Sequence, residues 1–213
     1  SHTLALKNDG SLRGWGFNDC DQLTSLPQNV KVPTQIGTDT DWAEVFAVDR
    51  CSYGIKKDGS LWAWGANDGD MLGIADTSVH YVQAPVKINI PGKVITMSGC
   101  ENVRVVGVGE DGVISKVYAW GSNADGALGN GEGVSADLSN IPFSATPVEV
   151  DLGGATVKII ASGQRFTAVM TEDGKLYGWG NNRAGQLGDH STEEQMTFAV
   201  SPIVLGVKRK ETG

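Results

Sequence analysis

Short runs of alternating apolar and polar residues, separated by glycine-containing turns, recur along the whole chain. The clearest run follows an Asp-Gly pair, as at Asp9-Gly10, and leads to a Trp-Gly pair, as at Trp15-Gly16. Alternation with a period of two predicts β-strands. An Asp-Gly pair between two such runs predicts a hairpin, because glycine adopts positive φ without strain. The pattern therefore predicts an all-β chain of short strands and tight turns.

The run occurs four times. The copies read HTLALKNDGSLRGWGFN (2–18), CSYGIKKDGSLWAWGAN (51–67), VRVVGVGEDGVISKVYAWGSN (103–123) and FTAVMTEDGKLYGWGNN (166–182). A period of about 50 residues indicates a repeat architecture, in which each repeat is one supersecondary unit. We therefore divide the single predicted domain, residues 1–213, into repeats of approximately 1–50, 51–102, 103–165 and 166–213.

A tryptophan stands at the same place in every copy: Trp15, Trp64, Trp120 and Trp179. A residue that recurs in each repeat predicts a packing wedge between repeats, whose indole N–H finds a buried acceptor. An aromatic platform for a ligand is the alternative interpretation. Because the tryptophans recur identically, we favour the packing role.

An asparagine follows each Trp-Gly pair by two residues: Asn18, Asn67, Asn123 and Asn182. Its side chain is expected to pin its own loop through hydrogen bonds. Three residues later come Asp21, Asp70, Gly126 and Gly185, which indicates a left-handed turn position. A pair of catalytic carboxylates is the alternative, and it is disfavoured because each aspartate stands in one repeat only.

A proline opens a further predicted strand in each repeat: Pro33–Ile36, Pro85–Ile90, Pro147–Val150 and Pro202–Leu205. Another strand follows in three of them: Trp42–Val48, Val94–Met97 and Val157–Ala161. With the two hairpin strands this makes four strands per repeat. Four-stranded antiparallel units at this period predict the blades of a β-propeller.

The bulk chemistry excludes several classes of function. The net charge of −8 argues against nucleic-acid binding, and the basic run Lys208-Arg209-Lys210 is interpreted as a solvated tail. Three cysteines without a C-x-x-C pair and three scattered histidines predict no metal site. We find no nucleophile motif or phosphate-binding loop, and so expect neither an enzyme nor a cofactor. No apolar run is long enough to predict a membrane span, and no signal peptide is recognised.

Three segments carry a more specific resemblance: the first repeat copy, EDGKLYGWGNNRAGQLGD at 172–189, and IIASGQRFTAVM at 159–170. They resemble the regulator-of-chromosome-condensation (RCC1) repeat family. Kelch repeats have a similar period but use a Gly-Gly doublet, which occurs here once, at Gly153-Gly154, outside the motif. The resemblance implies a β-propeller, usually of seven blades. Four repeats then predict part of a larger propeller.

The resemblance implies no single function. Eukaryotic members include a chromatin-bound nucleotide exchange factor, scaffolds and ubiquitin-ligase modules, and bacterial members include secreted effectors, surface proteins and an enzyme inhibitor. The chain is acidic and lacks a basic N-terminal tail and a recognisable wedge hairpin, so no exchange-factor residue is carried over. We expect a protein-binding scaffold or surface module, with a bacterial or phage surface or secreted location favoured. The alternative is an enzyme regulator, either an exchange factor for a small GTPase or a protein inhibitor.

One predicted strand type is missing at both ends. Val157–Ala161 begins ten residues after Pro147, whereas the tenth residue after Pro202 is Thr212, next to the last residue. The first copy starts where the same strand type would precede it. A propeller normally removes such open edges by closure. We therefore expect the remainder of a longer chain, a partner or a second copy to cover them.

The segments that do not repeat are the expected binding loops, approximately 73–84, 130–146 and 189–201. Aromatic residues on loops make plausible interface anchors, and charged residues surround them. The candidate protein-binding residues are His80, Tyr81, Glu132, Asp137, Phe143, Glu193, Glu194 and Phe198. The alternative is that these are ordinary irregular loops with Phe143 tucked beneath.

Overall fold

The computed structural model describes residues 1–101, 103–132, 142–188 and 192–193. These residues form β-strands and one turn of 3-10 helix, Ala124–Gly126. The strands are β1 (His2–Leu6), β2 (Leu12–Phe17), β3 (Asn29–Ile36), β4 (Trp42–Val48), β5 (Cys51–Lys56), β6 (Leu61–Ala66), β7 (Tyr81–Lys87), β8 (Val94–Cys100), β9 (Val103–Glu110), β10 (Val113–Ser122), β11 (Phe143–Val150), β12 (Val157–Gly163), β13 (Phe166–Thr171) and β14 (Leu176–Gly180).

The strands form four successive antiparallel units, which we call the first to fourth blades. The first blade has the order β1-β2-β3 and the second β4-β5-β6-β7. The third contains β8 to β11 and the fourth β12 to β14, and the pairing of Ile114 with Val157 joins these two into one seven-stranded sheet. This confirms the predicted all-β propeller architecture of antiparallel blades.

Blades and sequence repeats differ in phase by one strand. In the division at residues 50 and 51, β4 lies in the first repeat, yet it pairs with β5 of the second. The reason is the length of the connections. Only Asp49 and Arg50 separate β4 from β5, so these strands form a hairpin, whereas the longer segment 37–41 carries the chain from β3 to the next blade. The second, third and fourth blades therefore take their first strand from the end of the preceding repeat.

In the three described outer strands the proline does not open the strand, as the sequence suggested, but lies inside it. The fourth predicted strand, Pro202–Leu205, lies outside the described residues. In the second blade, Ala63 pairs with Val86 and Gly65 with Val82, so β7 carries extra residues around Pro85. The same register shift surrounds Pro33 in β3 and Pro147 in β11. Proline lacks an N–H for the ladder, and a bulge in the outer strand is a place that tolerates this loss.

The glycines that follow the repeated tryptophans Trp64 and Trp179 are fixed by close backbone contact. Gly65 has φ of 103°, and a Cβ placed there would lie 2.7 Å from the Arg50 carbonyl oxygen. Gly180 has φ of 98°, and its Cβ would lie 2.3 Å from the Arg165 carbonyl oxygen. A side chain at either position would therefore meet both backbone strain and a steric clash.

Three tryptophans lock each blade to the one before it. Their side chains are fully buried, and each indole N–H donates to a carbonyl of the preceding blade: Trp64 to Gln22 (3.0 Å), Trp120 to Met71 (2.9 Å) and Trp179 to Ala127 (3.0 Å). In each case the acceptor residue directly precedes a buried leucine of the loop. The predicted wedge with a buried acceptor is confirmed for these three tryptophans, whereas Trp15 is only half-buried.

Two of these carbonyls, those of Gln22 and Met71, accept a second hydrogen bond. Ser52 Oγ donates to the Gln22 carbonyl at 2.6 Å, beside the Trp64 indole. The third blade has Arg104 at the position of Ser52, and there Tyr53 of the second blade donates to the Met71 carbonyl at 2.7 Å. A different residue thus supplies the same second hydrogen bond.

Arg104 is itself fully buried, and each of its guanidinium nitrogens has a partner. Its Nε donates to Tyr53 Oη (3.0 Å), Nη1 donates to the carbonyls of Glu101 (2.6 Å) and Val103 (3.1 Å), and Nη2 reaches Cys51 Sγ (3.5 Å). Burial raises the pKa of the Tyr53 hydroxyl, so it stays a neutral donor. A planar guanidinium suits this multi-directional arrangement better than a lysine would.

A comparison of Gly129 and Gly174 separates two costs of adding a methyl group, namely backbone strain and a steric clash at the blade interface. Both have positive φ (65° at Gly129, 81° at Gly174), but a Cβ on Gly129 would lie 2.7 Å from Trp179 Nε1, whereas one on Gly174 would meet nothing within 4 Å. We predict that Gly174→Ala lowers the free energy of unfolding by about 1–2 kcal/mol through backbone strain. Gly129→Ala should lower it by a further ~1–3 kcal/mol through overpacking. Urea unfolding measures both, and equal losses would show that the indole does not fill this position.

Candidate protein-interaction surface

The long loops lie at one end of the blades, opposite the Asp-Gly hairpins. We call this end the loop face and define it by the loops 18–28, 67–80 and 123–132, together with the turns Asp49-Arg50 and Gln164-Arg165. Because neighbouring strands are antiparallel, these connections alternate with the hairpins and must share an end of the fold.

Each loop is closed at its base by the same backbone contact. The N–H of the asparagine donates to the carbonyl of the residue before the outer strand: Asn18 to Gln28 (2.8 Å), Asn67 to His80 (2.8 Å) and Asn123 to Pro142 (2.7 Å). The loop above this base lengthens from the first blade to the third. The fixed base places the start of each outer strand at an equivalent corner.

The asparagine side chain holds the interior of its loop. Its Oδ1 accepts the backbone N–H five residues on: Leu23 (2.7 Å), Leu72 (3.2 Å), Leu128 (2.9 Å) and Leu187 (3.0 Å). The intervening turn position is left-handed in every copy: Asp21 (φ 57°), Asp70 (57°), Gly126 (73°) and Gly185 (74°). Both predictions for these columns are confirmed. The two aspartates therefore serve turn geometry.

Two of the candidate aromatic residues occupy equivalent corners of adjacent blades. Tyr81 opens β7 opposite Ala66, and Phe143 opens β11 opposite Ser122. Tyr81 is 44% exposed and Phe143 is 57% exposed, so Phe143 is not tucked under its loop. The first blade presents an exposed aromatic at the same end, Phe17 at the end of β2. Sequence reasoning missed Phe17, although it lies next to the repeated Trp-Gly pair.

His80 lies beside a chain of ion pairs that crosses from the first blade to the second. His80 Nδ1 lies 3.6 Å from Asp68 Oδ1, and Arg50 reaches Asp68 (3.8 Å) and Asp19 (3.5 Å). Burial opposes ionisation of Asp19, but hydrogen bonds from Cys20 and Gln22 and the charge of Arg50 together lower its pKa. The Arg50 bridge was not predicted from the sequence.

The third and fourth blades carry a related bridge with a buried acid. Asp125 is 5% exposed at its side chain and lies 3.5 Å from Arg165 and 3.2 Å from Arg183. Asn181 Nδ2 donates to it at 2.8 Å. Arg50 and Arg165 both directly precede the second strand of their blades. That shared repeat position is the signal that could have identified both arginines.

The remaining candidate residues are less closely connected to this surface. Glu132 is exposed in the loop of the third blade, where its carboxylate accepts a hydrogen bond from Asn130 Nδ2 (2.9 Å). Glu193 is exposed, in the short described segment 192–193. The other three candidates, Asp137, Glu194 and Phe198, lie outside the described residues.

A search of the described ranges finds no group of three or more His, Cys, Asp or Glu side chains arranged to hold a metal ion. Over the same ranges, no helix has the length and apolar character needed to cross a membrane. The loop face therefore presents exposed aromatic side chains bordered by ion pairs. Buried hydrogen bonds hold the loops that carry them.

Comparison with known proteins gives two matching sequence profiles, both described as regulator of chromosome condensation (RCC1) repeat. The matched segments are 1–22 and 157–186 for one profile, and 58–111, 115–170 and 173–206 for the other. Together the profiles cover well over half of the chain.

Curated relatives match over most of the chain but a smaller part of their own length. The human E3 ubiquitin-protein ligase HERC2 is 30% identical over 200 residues, covering 91% of this chain and 4% of HERC2. The ultraviolet-B receptor UVR8 of Arabidopsis thaliana is 30% identical over 202 residues, covering 88% of this chain and 41% of UVR8. The X-linked retinitis pigmentosa GTPase regulator of Mus musculus is 39% identical over 72 residues, covering 34% of this chain and 7% of that protein.

Solved structures show the same architecture. Human WBSCR16 superposes with a TM-score of 0.76 at 23% identity, covering 96% of this chain and 51% of that one. Yeast RCC1 (Prp20), solved with Kap60, superposes with a TM-score of 0.79 at 16% identity, covering 97% of this chain and 47% of that one. At such identities the likeness concerns the fold. The chain spans about half the length of these structures.

Proposed function

Because the chain belongs to the regulator of chromosome condensation (RCC1) repeat family, we propose that it is a protein-binding module whose partner docks on the loop face. The observation that carries this proposal is the equivalent placement of Tyr81 and Phe143 at exposed corners of adjacent blades. Residues that repeat are occupied in packing the blades, so specificity is left to residues that do not repeat.

The energetics of binding favour aromatic anchors at such corners. Burying one large apolar side chain contributes roughly 1.5–3 kcal/mol. Tyr81 and Phe143 start from half-exposed positions whose backbone is already held by the loop bases at Asn67 and Asn123. Anchors on a fixed backbone lose little conformational freedom when a partner covers them. Together they would form the apolar centre of an interface.

The surrounding ion pairs suit the rim of the same interface. The side chains of Arg50 and Asp68 are each 47% exposed, and the neighbouring His80 is 77% exposed. Exposed ion pairs such as Arg50–Asp68 contribute only about 0–1 kcal/mol to folding. They can therefore exchange their partners for charged groups of a docking protein at little cost to the fold. Rim charges of this kind govern association rate and partner choice more than affinity.

We propose that the role is one of binding and not of catalysis. The relative HERC2 is named as a ligase, but the matching region is 4% of its length. The part shared with this chain is the repeat scaffold, whose buried polar groups serve blade contacts. The same repeat occurs in proteins named as a light receptor and as a GTPase regulator, which supports a common binding role.

Site-specific photo-crosslinking tests the loop face. A benzophenone amino acid is placed at Tyr81 or Phe143, and at Val113 as a control that is similarly exposed (43%) near the opposite end of the blades. We predict a covalent adduct with the same protein at Tyr81 and Phe143, and none at Val113, in extract of the source cells. Adducts at Val113 alone, or at none of the three positions, would contradict docking on the loop face.

We also propose that these blades are part of a larger ring, in which a preceding repeat supplies the fourth strand beside β1 and a preceding blade packs against Trp15. Within the described residues β1 is an edge strand of its sheet. Trp15 is only half-buried, and its indole N–H has no acceptor there, unlike those of the three later tryptophans. The open edge of β1 matches a missing first strand of this blade, and the Trp15 indole matches a missing preceding blade.

The size of the purified 213-residue chain tests this proposal. Exposed edge strands and a half-buried Trp15 favour pairing between molecules, so we expect sedimentation velocity to show association that increases with protein concentration. The variant Trp15→Ser should reduce it, whereas Val113→Ser should not. A monodisperse, well-folded monomer over the whole concentration range would contradict the larger ring.

A further inference from the structure

The proline bulges of the outer strands open clefts between neighbouring blades. Between the first and second blades, the bulge at Pro85 faces Ile36 and Trp42 across a cavity of about 340 Å³. Between the second and third blades, the bulge at Pro147 faces the loop at Gly73–Ala75 across a cavity of about 440 Å³. The two clefts are equivalent in the fold, and each is large enough for one or two side chains of a partner.

The second cleft combines apolar walls with polar groups that have no partner. Ile74, Pro91, Tyr118 and Pro147 line it, and the Tyr118 hydroxyl is already bound to Glu149 at 3.1 Å. The other polar lining residues are Lys87, Asn89 and Thr146. Within the described part of the chain, the side chains of Lys87 and Asn89 form no ion pair and no hydrogen bond.

The charged groups around Lys87 leave its ammonium available. Asp58 is the carboxylate on which its charge acts, but the pKa of Asp58 is lowered mainly by hydrogen bonds from Ser60. Glu149, on the neighbouring blade, is held by Lys116 at 3.1 Å. In the first cleft the equivalent rim carries Asp39, which Lys56 binds at 2.7 Å. An unpaired cation at the mouth of an apolar cleft is therefore particular to the second cleft.

We propose that the cleft between the second and third blades binds an acidic residue followed by an apolar residue in an extended segment of a partner protein. The apolar side chain packs against Tyr118 and Pro147, and Lys87 pairs with the carboxylate beside it. Asn89 offers an amide to the segment's backbone. This inference extends the proposed function by naming the partner's chemistry, and it uses a surface that crosslinking on the loop face does not test.

Nuclear magnetic resonance titration of the ¹⁵N-labelled chain tests the cleft. The probes are acetyl-Gly-Glu-Leu-Gly-amide and, as its matched control, acetyl-Gly-Lys-Leu-Gly-amide. We expect the acidic peptide to give saturable shifts at millimolar concentration in the amides of Gly73, Ala75 and Asn89, and the basic peptide to give none. The Lys87→Glu variant should bind the acidic peptide about tenfold more weakly. It should also bind the basic peptide, because the charge that pairs with the peptide is reversed.

Lys31→Glu serves as the control variant, since Lys31 is an exposed lysine on the outer strand of the first blade and lines neither cleft. It should bind both peptides as the unaltered chain does. Two results would overturn the proposal: no saturable shift with the acidic peptide, or equal binding by the Lys87→Glu variant. Either result would leave the loop-face proposal standing, because that proposal depends on Tyr81 and Phe143.

Discussion

The donation of an indole N–H to a loop carbonyl of the preceding blade is the interaction on which the structure depends. It requires a tryptophan held in place by the close-packed glycine that follows it, and a carbonyl presented by a loop that its own asparagine has folded. A buried carbonyl without a donor would cost about 1–3 kcal/mol. The three interfaces therefore bind the blades together and fix the loop bases in the same step.

This coupling explains why the loop face can be both rigid and variable. Asn67 fixes the backbone at His80 from within, and Trp120 of the next blade fixes the same loop from outside through Met71. Between these two points the loop can change length and composition without disturbing the blade contact. Tyr81 follows the fixed base directly, so an exposed aromatic side chain is presented from a held backbone. The same reasoning applies to Phe143.

The third blade shows that the constraint acts on hydrogen bonding and not on residue identity. Replacement of the small hydroxyl residue by Arg104 would leave the Met71 carbonyl with a single donor, but Tyr53 supplies the second. Arg104 in turn finds acceptors on Tyr53 and on two backbone carbonyls. A fully buried guanidinium is tolerated because its hydrogen bonds are made within the same interface.

The repeated columns made much of this predictable from the sequence. The tryptophan, the asparagine and the left-handed turn could be inferred because each recurs with a local physical role. The assignment of the first strand of each blade could not be inferred, because it depends on which connection, the two-residue or the longer one, forms the hairpin. The Arg50 and Tyr53 contacts join residues far apart in sequence. The matching corners of Tyr81 and Phe143 could have been found, because each lies four residues before its bulge proline.

Hydrogen exchange at the six indole N–H groups, read by nuclear magnetic resonance, tests the role of the tryptophans most directly. Trp64, Trp120 and Trp179 should exchange only on global unfolding, because their donors are buried in blade contacts. Trp15, Trp42 and Trp62 should exchange faster, since none of them donates to a neighbouring blade within the described residues. Fast exchange at Trp64, Trp120 and Trp179, or equal protection of all six, would contradict the interlock.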